Sequence, residues 1–129
     1  MTRKLKTIVI DDETDAVDFI RTIIGEYCPS LEYTGKAHNV LQGIQVINDI
    51  KPDLVFLDVE MPNGTGFDLL ARYPEKKFDV IFITAFNHYA IRAIKFSAVD
   101  YILKPININE FIEAVDRVIK KKTEKPPAR

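Results

Sequence analysis

Two kinds of hydrophobic pattern alternate along the chain. Thr7-Ile8-Val9-Ile10, Leu54-Val55-Phe56-Leu57 and Val80-Ile81-Phe82-Ile83 are short runs rich in apolar, mostly β-branched or aromatic residues. Each stops abruptly at polar residues, respectively Asp11-Asp12, Asp58 and Thr84. Such runs predict parallel strands buried on both faces that deliver polar groups at their carboxyl ends. Leu31 to Ala37 and Tyr101-Ile102-Leu103 read as two further strands, the last running out into Lys104-Pro105.

Between these runs the apolar residues recur at helical spacing. Ala16, Phe19, Ile20, Ile23, Ile24 and Tyr27 form one stripe, and Pro29 ends that helix. Asn39 is placed to cap a helix carrying Leu41, Ile44 and Ile47, which breaks at Lys51-Pro52-Asp53. Shorter helices are predicted over Phe67–Tyr73 and Tyr89–Phe96, with Met61 to Gly66 between strand and helix as loop chemistry. The last helix is marked by Ile108, Phe111, Ile112, Val115, Val118 and Ile119, and Asn107 with Glu110 resembles a capping box. Residues 120–129 carry five basic residues and two prolines without apolar periodicity, and read as a linker. Five strands alternating with five helices predict an α/β fold, a doubly wound five-stranded parallel sheet of flavodoxin-like strand order 2-1-3-4-5.

Composition narrows this picture without changing it. A length of 129 residues suits one domain, and 47% hydrophobic with 29% charged residues suits a packed core under a solvated surface. A formal net charge of −1 gives no chain-wide basic field for nucleic acid or an anionic membrane. The start of the chain does not resemble a signal peptide, and no apolar stretch approaches the roughly 20 residues that span a bilayer. A cytoplasmic domain is the expectation. The lone cysteine, Cys28, has no internal disulfide partner and reads as a small hydrophobe. His38 and His88 lack the partner spacing of a zinc site and are expected to face solvent.

Ligands of open parallel sheets bind beyond the carboxyl ends of the strands. Asp11, Asp12, Asp58, Thr84 and Lys104 are therefore expected to converge. Clustered carboxylates repel one another, and a hard divalent cation such as Mg²⁺ relieves this in a site rich in oxygen ligands. Lys104 supplies a compact positive charge, Thr84 a hydroxyl donor, and an aspartate can act as nucleophile. Those are the parts that phosphoryl transfer requires.

The motifs Val9-Ile10-Asp11-Asp12-Glu13, Val55 to Pro62, Ile83-Thr84-Ala85 and Asp100 to Pro105 resemble those of two-component response-regulator receiver domains, over residues 5–121. The resemblance implies a receiver over residues 1–121, with 122–129 as a linker or tail. It implies that Asp58 accepts a phosphoryl group from a sensor histidine kinase and that Asp12, Asp58 and the Glu60 backbone carbonyl ligate Mg²⁺, with Asp11 supporting the metal mainly through water. Thr84 and Lys104 are then the groups that hold the phosphoryl, and Ala85 keeps a backbone N–H open to it. Thr84 and Tyr101 are the switch pair, and the Lys104–Pro105 bond is cis. Output is expected through the face made by the fourth helix, last strand and last helix, by a phosphorylation-promoted homodimer.

Thr84-Ala85-Phe86-Asn87-His88-Tyr89-Ala90 and Ala98-Val99-Asp100-Tyr101 are most similar to receivers that precede LytTR-type DNA-binding domains, although such receivers often have an acid where Asn87 stands. That implies transcription regulation through a LytTR-type domain beyond the given chain, with no direct nucleic-acid contact and no membrane contact by the receiver itself. Two other classes fit less well. A phosphatase of the haloacid dehalogenase type needs a second aspartate two residues after the nucleophile, where this chain has Glu60. A flavin-binding module needs a Ser/Thr/Gly-rich phosphate loop after the first strand, where Asp11-Asp12-Glu13 would repel a phosphate.

Overall fold

The structure is a computed structural model and describes residues 3–123. Strands β1 (Leu5–Ile10), β2 (Leu31–Ala37), β3 (Leu54–Leu57), β6 (Asp79–Thr84) and β7 (Asp100–Leu103) form one parallel sheet in the order β2-β1-β3-β6-β7. A two-stranded antiparallel ribbon, β4 (Glu60–Met61) and β5 (Gly64–Thr65), lies between β3 and the third helix. With the ribbon set aside, the long strands follow the 2-1-3-4-5 order expected of a flavodoxin-like sheet. Helices α1 (Thr14–Tyr27), α2 (Val40–Ile50), α3 (Gly66–Leu70), α4 (Ala90–Lys95) and α5 (Ile108–Thr123) occupy the crossovers and the end.

Strand alternation divides the core into two layers. Val9, Phe56, Ile81, Ile83 and Ile102 point to the α1 and α5 side, where Phe56 stacks on Phe111 at 4.7 Å between ring centres. Ile8, Ile10, Val55, Leu57, Val80 and Phe82 point to the α2, α3 and α4 side, where Phe67 meets Phe82 and Phe96 at 5.1 and 5.3 Å. Each such buried ring contributes about 1.5–3 kcal/mol by leaving water, so the central strands are anchored on both faces. Rigid strand ends are what hold the site.

Local chemistry sets the helix starts. Asn39 caps α2 by accepting the Gln42 N–H at 2.9 Å. Thr65 and Asp68 form a reciprocal capping box on α3, and Asn107 accepts the Glu110 N–H at 3.0 Å at the start of α5. Two expectations fail here. On α1 the buried residues are Val17, Ile20, Ile23 and Ile24, whereas Phe19 and Tyr27 are 42% and 47% exposed. The last helix also continues through Lys120–Thr123, where the composition suggests a linker. Lys121 and Lys122 pair with the nearly buried Asp79 at the start of β6, which gives these lysines a reason to stay helical. The remainder of the expected tail lies outside the described residues. No helix among the described residues is long and apolar enough to cross a membrane.

Candidate functional site

The carboxyl ends of β1, β3, β6 and β7 bring together all five residues that the pattern places there. One carboxylate oxygen from each of Asp11, Asp12 and Asp58 falls within 4.8 Å of the others. Asp11 and Asp58 are buried while Asp12 faces solvent. The Asp58 amide continues the strand pairing to the Ile10 carbonyl at 3.0 Å, and its Oδ1 accepts the Val59 N–H at 2.7 Å. The aspartate is thereby fixed by backbone on both sides.

Lys104 reaches into this cluster from β7. Its Nζ lies 2.6 Å from Glu13 Oε1, 2.9 Å from Asp11 Oδ2 and 3.2 Å from Asp58 Oδ2. The Lys104 amide also donates to the Thr84 carbonyl at 2.8 Å, tying the two strand ends together, and the Lys104–Pro105 bond is cis as expected.

Electrostatics follow from this crowding. Burial pushes the Asp11 carboxyl up to about 6, against the pull of the Glu13 N–H and Lys104 and with help from the Asp58 charge. Burial also works against the Lys104 charge, but hydrogen bonds to Glu13 and Asp11 and the charge of Asp58 outweigh it, so Lys104 is held above its ordinary value. The exposed Glu13 is held below its ordinary value, first by its hydrogen bond to Lys104. Both partners of the Asp11–Lys104 pair move upward because one lysine is shared among three acids. Its attraction does not offset the desolvation of Asp11.

Such a site is short of positive charge. Its donors are carboxylate oxygens, the set that a hard cation such as Mg²⁺ prefers. The Thr84 hydroxyl is fully buried at the end of β6 and has no hydrogen-bond partner among the described residues. A buried hydroxyl without a partner is costly unless a ligand supplies one, by about 1–3 kcal/mol. Asp12, Glu13, Asp58, Glu60, Ala85, Phe86 and Lys104 line an open cleft of about 450 Å³ above these groups. The residues present fit a divalent cation and a phosphoryl group.

Other contacts were not legible in the pattern. The Tyr101 hydroxyl donates to the Phe86 carbonyl, so the half-buried ring is tied to the loop after Thr84. The Tyr89 hydroxyl donates to Glu60 Oε2 at 2.8 Å, linking the ribbon to the start of α4. Glu13 contacts Lys104 across 91 residues of sequence, a pairing that no local periodicity announces. His38 is not solvent-facing as expected, because its Nδ1 lies 3.0 Å from the Asp11 carbonyl and the ring is half-buried. His88 is exposed.

An open cleft over three acids, a lysine and a buried hydroxyl, at the carboxyl edge of such a sheet, is the arrangement of a response-regulator type of receiver domain. Residues 7–116 match the Response regulator receiver domain family, and the chain belongs to it. It is 37% identical over 117 residues to an uncharacterized response regulatory protein of Vibrio cholerae, covering 90% of this chain and 49% of that one. It is 36% identical over 104 residues to the transcriptional regulatory protein BtsR of Escherichia coli, covering 80% and 43%. A solved DNA-binding response regulator of the LuxR family from Staphylococcus aureus superposes with a TM-score of 0.80 at 26% identity, covering 88% of this chain and 98% of that one. The chain spans about half the length of the curated relatives it matches. Receiver domains of this family are signalling switches rather than enzymes in the ordinary sense.

Proposed function

We propose that this chain is a phosphoacceptor switch in which a sensor histidine kinase transfers a phosphoryl group to Asp58. In that transfer the phosphorus–nitrogen bond of a phosphohistidine breaks, an oxygen–phosphorus bond to the Asp58 carboxylate forms, and histidine leaves. Asp11, Asp12, Asp58 and the Glu60 carbonyl would hold Mg²⁺, which neutralises charge shared by the nucleophile and the phosphoryl oxygens. Lys104 pairs with the phosphoryl group, the Ala85 N–H stays open to it, and the Thr84 hydroxyl gains an acceptor. Thr84 and Tyr101 then carry the change to the face formed by α4, β7 and α5.

The observation that carries this reading is the buried Thr84 hydroxyl without a partner, set on the strand next to a lysine that bridges Asp11 and Asp58. A hydroxyl left unpaired beside clustered carboxylates suits a site built for an incoming acceptor. The fold alone does not choose the output, because the LuxR-family regulator shares it. The stretches Thr84–Ala90 and Ala98–Tyr101 favour a LytTR-type DNA-binding domain, with the receiver in the cytoplasm, dimerising on phosphorylation and touching neither nucleic acid nor membrane itself. The test is intact-mass measurement after treatment with acetyl phosphate and Mg²⁺. One added phosphate is expected, absent in Asp58→Asn; a full phosphate shift surviving in that variant would sink the assignment.

A further inference from the structure

At the end of the sheet opposite the aspartate cluster lies a cavity of about 580 Å³, larger than the acidic cleft and lined by none of its residues. Its volume falls within the roughly 300–1,000 Å³ typical of small-ligand pockets. The buried Ile47, Pro52 and Phe78 make an apolar floor. Tyr73 stands against Phe78 edge-on at 5.4 Å between ring centres. The Tyr73 hydroxyl is fixed to Asn48 Oδ1 at 2.9 Å and to the Ile44 carbonyl at 3.4 Å, so this wall is already formed.

The rim has an excess of cations. Lys51, Lys76 and Lys77 line it, together with Asp53 and Glu75. Asp53 is committed elsewhere, since it accepts from Arg3 and from the Lys6 N–H, each at 2.8 Å. Three lysines therefore face one acid, Glu75, and Lys121 and Lys122 stand close by on Asp79. Burial, and next the charge of Lys121, holds the Lys76 ammonium below its ordinary value, against the charge of Asp79.

We propose that this cavity is a second binding site, for a small amphiphilic anion. A flat apolar ring system would sit in the angle between the Tyr73 and Phe78 rings, with its carboxylate, sulfonate or phosphate at the lysine rim. The site is separate from the phosphoacceptor reading, and binding there requires neither Mg²⁺ nor Asp58.

The probe is anilinonaphthalene sulfonate, followed by amide NMR titration of the full chain without Mg²⁺. Amide shifts at Asn48, Lys51, Lys76 and Phe78 are expected. Charge reversal at the two exposed rim lysines, Lys51→Glu with Lys77→Glu, should weaken binding at least about tenfold, as should removal of the sulfonate from the probe. If the reversed variant does not give a folded amide spectrum, Lys51→Met with Lys77→Met takes its place, with the same direction expected. Shifts confined to the exposed apolar residues Ile91 and Ile94, or an affinity indifferent to both rim charge and sulfonate, would overturn the proposal.

Discussion

Lys104 Nζ lies 3.2 Å from Asp58 Oδ2 while also holding Asp11 at 2.9 Å, so one ammonium serves two buried carboxylates on neighbouring strands. The Asp11 carboxyl sits at about 6 in the folded chain, above its ordinary value of 3.8. A raised folded value means that this group's contribution to stability is full below about pH 4 and is lost as pH rises through about 6. Lys104→Met should deepen that loss, because it removes the ammonium that faces the buried Asp11 carboxylate. Thermal melts should show a destabilisation of about 3 kcal/mol near pH 7 and much less near pH 5. An equal loss at both would assign the effect to packing of the lysine stem instead.

Gly66 is set by contact with the carboxyl end of β3, where Asp58 stands. A Cβ there would stand 2.5 Å from the Asp58 carbonyl oxygen and 3.0 Å from Leu57 Cγ, while the Gly66 N–H donates to the Val59 carbonyl at 2.7 Å. Neither backbone group can yield without moving the end of β3. Gly66→Ala should therefore destabilise the fold by about 1–3 kcal/mol and slow phosphorylation of Asp58. Gly25→Ala is the control, since a Cβ at this exposed position in α1 meets nothing within 4 Å. It should stabilise by about 0.5–1 kcal/mol in denaturant titrations. A Gly66→Ala variant as stable as the wild type would show that the strand end is soft.

The three central strands β1, β3 and β6, and the polar residues that end them, were readable because buried parallel strands leave continuous apolar runs. A polar residue that ends such a run is forced to the sheet edge. Asn39 was readable for a similar reason, since a cap acts within three residues. Phe19 and Tyr27 misled because aromatics at helical spacing look like core. The sheet accepts only the narrower stripe through Val17, Ile20, Ile23 and Ile24. The Glu13–Lys104, Tyr101–Phe86 and Tyr89–Glu60 contacts join residues that only the folded chain brings together. The last turn of α5 depends on Asp79, some 40 residues earlier in the chain. Local propensity carries no trace of such pairs.

Phe86 stands at the mouth of the cleft. It is 38% exposed, lines the space over Asp58 and meets the Tyr89 ring edge-on at 6.3 Å. A large apolar ring there would hinder water from approaching an aspartyl phosphate in line, were Asp58 phosphorylated. Phe86→Ala should release inorganic phosphate severalfold faster from the phosphorylated protein. The Tyr101 hydrogen bond is to the Phe86 backbone, so the substitution leaves that contact available. An unchanged or slower release would mean that other groups limit water access.

The face formed by α4, β7 and α5 joins an exposed apolar surface to Tyr101. Ile91 and Ile94 on α4 are 74% and 73% exposed, and Leu103 on β7 is 41% exposed. Arg117 pairs with Asp100 beside them, so the face carries both signs of charge around an apolar patch, which suits self-complementary association about a two-fold axis. Tyr101 borders this surface and is tied to the loop after Thr84. A phosphoryl acceptor for the buried Thr84 hydroxyl would draw that loop toward Asp58 and reset Tyr101. A bias of about 1–3 kcal/mol, a 5–150-fold shift in population, is enough to change association. Sedimentation of the wild type should show more dimer when beryllofluoride and Mg²⁺ are added. Thr84→Ala should still bind the mimic, more weakly, and lose most of the response. Ile94→Asp should keep phosphorylation and lose the dimer. Unchanged monomer distributions in the wild type would remove ligand-driven association altogether. An undiminished response in Thr84→Ala would show that the signal reaches α4 by another route, with the Glu60–Tyr89 hydrogen bond the first contact to remove next.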